Sequence, residues 1–229
     1  MRAPQQGFNL VSLMIGMTLS MVSILAMLSL YKNIIGISVM SIQDATQDGQ
    51  IAAGLMIAQR ELLNAGFRID PNAVPVASRA VLLSGATLNA GTLAGTAQTI
   101  GNTAVIGNAM VWISKATSTA TATCAGLLVQ NGVLSRLQGP SGCTQVSQWN
   151  STSWTATTLI EANQPAAFFT AQYAGCWPFG KIADATSGTT RVQVVLTATN
   201  STVDPNSTDP QPAYVKSKST VCLPNLEKV

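Results

Sequence analysis

The first charged residue after Arg2 is Lys32, and the 24 residues Phe8 to Tyr31 read FNLVSLMIGMTLSMVSILAMLSLY with no charge and no proline. As a helix rising about 1.5 Å per residue, this run crosses a hydrocarbon layer of about 30 Å. Past Lys32 the pattern changes but stays helical. Asp44, Asp48, Arg60 and Glu61 appear, while Ile51, Leu55, Ala58, Leu62 and Ala65 recur at helical spacing on one face. Gly66 is placed to end the helix, and Pro71 follows. The pattern predicts one helix of about 59 residues, roughly 85–90 Å long. Gly36, Gly49 and Gly54 weaken it by about 1 kcal/mol each relative to alanine and are candidate sites for a bend or a melted turn.

Beyond about residue 73 the helical period stops and short β-rich runs take over. They are 80–83, 110–114, 126–130, 133–137, 157–160, 166–173, 191–199 and 213–223. Asn131-Gly132 between two such runs is the strongest hairpin signal in the chain. The runs 191–199 and 213–223 form a second antiparallel pair. The Gly-Thr-Ala-rich segment 84–108 reads as a long surface excursion with one short strand at most. Together these elements predict an α+β fold: a long N-terminal helix, transmembrane and then amphipathic, packed through Ile51, Leu55 and Leu62 on an antiparallel β-sheet head.

Composition narrows the chemistry. Of 229 residues, 47% are apolar and 9% charged, which excludes a disordered polyelectrolyte. The net charge of +3 forms no basic stripe, so no direct nucleic-acid contact is expected. There is no histidine, which removes Ser-His-Asp, Cys-His and His-metal chemistry. No G-x-S-x-G, dinucleotide fingerprint or P-loop occurs. The expectation is a protein that is not an enzyme and carries no cofactor.

The N-terminal segment is neither a cleaved secretory signal, which ends in A-x-A, nor a lipoprotein signal, which needs a cysteine after the apolar run. The first cysteine is Cys124. Arg2 and the terminal amine place the N-terminus in the cytoplasm by the positive-inside rule. The four cysteines, Cys124, Cys143, Cys176 and Cys222, all follow the anchor, as suits two disulfides in an exported head. In the Asn131-Gly132 hairpin, Cys124 faces Gly139, and Cys143 can fold back to it. The expected pairs are Cys124–Cys143 and Cys176–Cys222, with zinc disfavoured by the spacings. Asp204, Asn206 and Asp209 form a D-x-N-x-x-D loop that either holds calcium or is a plain polar turn. Trp149 and Trp154 lie in the polar stretch SQWNSTSWT and are candidates for a contact surface.

The junction Gln6-Gly7-Phe8-Asn9-Leu10-Val11-Ser12-Leu13-Met14-Ile15 resembles the class III prepilin signal of type IV pilins and type II secretion pseudopilins. Gln59-Arg60-Glu61-Leu62-Leu63-Asn64-Ala65-Gly66-Phe67-Arg68, and more distantly the tail 217–225, resemble PilW-type minor pilins. The resemblance implies cleavage after Gly7, N-methylation of Phe8, and assembly by helix packing. It divides the chain into a leader (1–7), a membrane and filament-core half-helix (8–31), an amphipathic half-helix (32–70) and a disulfide-stabilised periplasmic head (71–229). The implied partners are other minor and major pilins, the prepilin peptidase and an inner-membrane assembly platform. The implied location is the inner membrane, then a pilus at the cell surface. Pilins usually carry glutamate at the fifth mature position, where this chain has Ser12. Serine cannot neutralise a neighbour's buried amine, which favours a tip or initiation role over a repeated body subunit. A type II secretion pseudopilin and a membrane-anchored adhesin or ligand-binding module stay open as alternatives.

Overall fold

The apolar run folds as one helix. A computed structural model describes residues 10–143, 145–161, 164–175, 190–200 and 215–228, and in it helix α1 spans Leu10–Leu63. It runs unbroken through Gly36 and Gly49, where an added methyl would meet nothing within 4 Å. The melted turn weighed at these glycines does not occur, since both positions are helical. Gly54 is different, since a Cβ there would lie 2.7 Å from Ile160 Cδ1. It lets the helix backbone approach a strand.

Helix α1 tightens before it ends. The Asn64 and Ala65 amides donate to the carbonyls three residues back, Glu61 at 3.1 Å and Leu62 at 2.9 Å. Gly66 then adopts φ 72°, the left-handed conformation expected of a helix-ending glycine. Its N–H does not return to the helix but donates to the Ile113 carbonyl at 2.9 Å. A side chain at Gly66 would also meet Leu226 Cδ2 at 2.8 Å.

The chain divides into two compact units, Met1–Gln47 and Asp48–Val229. In the first, the described residues are all helix and almost all exposed. The second contains the end of α1, a one-turn helix α2 (Val76–Arg79) and two antiparallel sheets. The larger sheet has the order β2-β1-β4-β5-β6-β7, with β1 Ala80–Asn89, β2 Thr92–Gln98, β4 Ala109–Ser114, β5 Thr123–Gln130, β6 Val133–Ser141 and β7 Thr155–Ile160. The smaller has the order β10-β9-β8-β3, with β3 Val105–Gly107, β8 Phe169–Ala174, β9 Arg191–Asn200 and β10 Val215–Glu227. The fold class is therefore α+β, a long apolar helix plus antiparallel sheets.

The central strands of the larger sheet are buried on both faces, and they read accordingly. Leu82, Met110, Trp112 and Leu127 join Ile51, Leu55, Ala58, Leu62 and Ala65 of the helix segment, Phe169, Val194 and Leu223 of the smaller sheet, and Phe168 just before it, in one core. Their neighbours Leu83, Val111, Ile113 and Leu128 face a second core with Val146 and Trp154. Successive strand residues point to opposite faces, so a strand packed twice is apolar at nearly every position.

Two hairpins frame this sheet. In β5–β6, Gln130 pairs with Val133, and Asn131 and Gly132 take φ 53° and 77°, as a type I′ turn requires. In β1–β2, Asn89 pairs with Thr92 around Ala90 and Gly91, at φ 48° and 82°. This second hairpin corrects the reading of 84–108 as a surface excursion, because the segment supplies the end of β1 and all of β2 and β3. Strand β2 buries only Leu93 fully, so no alternating apolar pattern announced it.

Asn108 marks the point where the chain leaves the smaller sheet (β3) and enters the larger one (β4). Such a crossing strands backbone groups, and the Asn108 side chain takes them up. Its Oδ1 accepts from the Ala86 N–H at 2.7 Å, and its Nδ2 donates to the carbonyls of Ala86 at 2.8 Å and Val129 at 2.9 Å. The side chain acts as an extra peptide group, and it is buried.

Candidate functional site

From Leu10 to Tyr31 helix α1 presents leucine, isoleucine, valine and methionine on every side, each more than half exposed. It is the one helix among the described residues long and apolar enough to cross a membrane. Its polar side chains are arranged for such surroundings. The hydroxyls of Thr18, Ser20 and Ser23 donate to the helix carbonyls of Ile15 (2.9 Å), Met17 (2.8 Å) and Leu19 (2.9 Å). Polar groups in hydrocarbon must be satisfied within the protein, and these are satisfied within one helical turn. Ser12 is exposed in the first turn, which carries no acidic side chain.

The second half of the helix is held by the head. Ile51, Leu55, Ala58 and Leu62 are buried, with Gly54 against Ile160. Arg136 Nε lies 3.0 Å from Glu61 Oε1, but its N–H is not aimed at the carboxylate. The contact is thus a partly exposed ion pair rather than a directed hydrogen bond, worth about 0–1 kcal/mol. Gln59 Nε2 donates to Ser219 Oγ. Asn225 caps the helix end, its Nδ2 lying 3.4 Å from the Leu63 carbonyl and 3.2 Å from the Ala65 carbonyl. The last carbonyls of a helix have no partner inside it, and here a side chain from the last described strand supplies one.

Asn225 is itself held by Arg79, whose Nη1 donates to the Asn225 carbonyl at 2.6 Å. Arg79 is 1% exposed, and its Nε and Nη2 have no hydrogen-bond partner among the described residues. Burial lowers its pKa, opposed by Tyr173 and Glu227. Burial pushes the Tyr173 phenol up, opposed by Arg79. The folded state therefore keeps the Tyr173 proton more firmly than the unfolded chain does. Stability is complete below the unfolded phenol value of about 10 and falls as pH rises through it toward the higher folded value. In urea titrations the parent protein should lose more stability than Tyr173→Phe between about pH 9 and about pH 11. Equal losses would mean that Tyr173 ionises as freely in the fold as outside it.

Cys124 and Cys143 form a disulfide with Cα atoms 5.5 Å apart, closing β5 onto the end of β6 as the hairpin register implied. Cys222, on β10, is also disulfide-bonded; Cys176, its expected partner, lies outside the described residues. So do Gly7 and Phe8 of the processing junction and Asp204, Asn206 and Asp209 of the candidate calcium loop. No cluster of three metal-ligating side chains occurs among the described residues. Replacing Cys124 and Cys143 together by serine should cost about 2–4 kcal/mol, read as a lower urea midpoint at unchanged slope. An unchanged midpoint would make the bridge structurally idle.

Of the two tryptophan candidates for a contact surface, Trp154 is corrected. Trp154 is 2% exposed within the second core, and its Nε1 donates to the Trp149 carbonyl at 2.9 Å. Trp149 is half-buried against the same core. The polar residues around them made the stretch look superficial, but a ring that finds both an apolar pocket and an acceptor for its N–H is well placed inside. Sequence reasoning missed Gly54, Arg79 and Asn108. Small residues four apart on the buried helix face, Gly54 and Ala58, signalled a close approach. The lone polar side chain of VIGNAMVWI signalled Asn108.

Compared with known proteins, the chain matches no family model, no curated protein and no solved structure.

Proposed function

We propose that this protein is a structural minor pilin, PilW-like, that takes part in initiating a type IV pilus or in forming its tip. The observation that carries the reading is the single helix α1. Its first half is apolar on all sides with hydroxyls paired inside the helix, and its second half is clasped by a β head. Such a helix suits lipid and a bundle of like helices equally, since neither has to supply polar partners. The prepilin-like junction at Gly7-Phe8 adds the processing step that would free the helix for assembly. Ser12 in place of glutamate supports a terminal position. The subunit would act through packing with other minor and major pilins, after prepilin peptidase cleavage and at an inner-membrane platform. The N-terminus would face the cytoplasm and the head the periplasm.

The test is N-terminal mass analysis of the protein from bacterial membranes and from sheared filaments. The expected result is a mature N-terminus at N-methylated Phe8, with low abundance in the filaments. Gly7→Leu should leave the leader attached and keep the subunit out of filaments. An intact leader in the presence of the native peptidase would leave a membrane-anchored adhesin or ligand-binding module. Processing with recovery in a secretion-system pseudopilus would assign the chain to the pseudopilins instead.

A further inference from the structure

A cleft in the head lies where three segments meet: the chain just after α1, the β4–β5 connection, and the end of β6. Its volume is about 460 Å³, in the range of small-ligand sites. The floor is apolar, formed by Ile69, Val74 and Ala122, and Thr119 and Thr121 stand at the rim. The lining includes two charged side chains of opposite sign on different walls, Asp70 and Lys115. Among the described residues neither forms an ion pair. Asp70 Oδ1 accepts from the Asn72 N–H at 2.9 Å, which orients the carboxylate and leaves Oδ2 unused among the described residues.

The walls are fixed before any ligand arrives. The Gly66 backbone N–H donates to the Ile113 carbonyl at 2.9 Å and the Lys115 backbone N–H to the Phe67 carbonyl at 3.0 Å, tying the first wall to the second. Gly142 donates to the Ala122 carbonyl at 2.9 Å, and the Cys124–Cys143 bridge holds the third wall beside it. Preorganisation of this kind lowers the cost of binding. The charges then select the ligand. An anion alone would face the Asp70 carboxylate, and a cation alone would face the Lys115 ammonium. A neutral apolar molecule would use the floor but neither charge.

We infer that this cleft binds a short apolar peptide with free termini, its ammonium on Asp70, its carboxylate on Lys115 and its side chains on the Ile69–Val74–Ala122 floor. The site is independent of the filament reading.

The test is calorimetric titration of the full chain in detergent micelles with Leu-Leu and two blocked forms, N-acetyl-Leu-Leu and Leu-Leu amide. Leu-Leu should bind saturably. Lys115→Gln should weaken Leu-Leu about tenfold but leave the amide unaffected, and Asp70→Asn should weaken Leu-Leu about tenfold but leave the acetylated form unaffected. Thr119→Trp, at an exposed rim position, should block all three, whereas partition into micelles would not respond to it. Phosphoethanolamine, with both charges and no apolar body, should not compete. The proposal is overturned by absence of saturable Leu-Leu binding up to about 10 mM. It is overturned equally by affinities indifferent to Lys115 and Asp70, or by phosphoethanolamine binding as well as Leu-Leu.

Discussion

Asn108→Leu is expected to destabilise the head by about 3–5 kcal/mol, although leucine matches its size and the site is buried. The substitution removes three side-chain hydrogen bonds and leaves the Ala86 N–H and the Ala86 and Val129 carbonyls unpaired. A buried polar group left without its partner costs about 1–3 kcal/mol. Hydrophobic gain at one side chain does not offset three such losses. Asn108→Asp should also fail, because its carboxylate can accept from Ala86 but repels the two carbonyls that Nδ2 now serves. Urea unfolding of the three proteins decides the matter. A loss below about 1 kcal/mol for Asn108→Leu would mean that the strand crossing does not depend on this side chain.

The second large effect is a change of sign. By helix propensity, Gly→Ala inside a helix stabilises by about 1 kcal/mol. Gly49→Ala should do so, since nothing lies within 4 Å of the added methyl. Gly54→Ala should instead destabilise, and Gly54→Leu should cost about 2–3 kcal/mol, because the new atoms overlap Ile160 and approach the Leu159 carbonyl at 3.3 Å. Ile160→Ala in the Gly54→Leu background should recover part of the loss, a coupling that a double-mutant cycle measures. If Gly54→Ala stabilises as Gly49→Ala does, the close approach of helix and strand is not tight in solution.

The elements legible in the sequence were those whose pattern is set locally. A charge-free run and an apolar face at helical spacing gave α1 and its buried side, Ile51 to Ala65. Asn131-Gly132 gave the β5–β6 hairpin and, through its register, the partner of Cys124. What stayed hidden depended on the third dimension. Ala90 turns a hairpin at positive φ, which alanine does not advertise. Strand β2 lies at a sheet edge with most of its side chains exposed, so its composition resembles a loop. Gly54 reads as a weak point in a helix until Ile160 is seen across from it. The cleft between Asp70 and Lys115 joins residues 45 apart in the chain, with no motif to connect them.

The cap that Asn225 places on α1 also sets a timetable. The helix end at Leu63 waits for a residue 162 positions later, and its apolar face shares a core with Leu223 and Leu226. A chain made from its N-terminus therefore exposes a finished helix with an open flank until nearly all of the described head has emerged. Contacts this far apart in sequence close slowly. Throughout that interval Ile51, Leu55 and Leu62 are available to a chaperone or to a wrong partner.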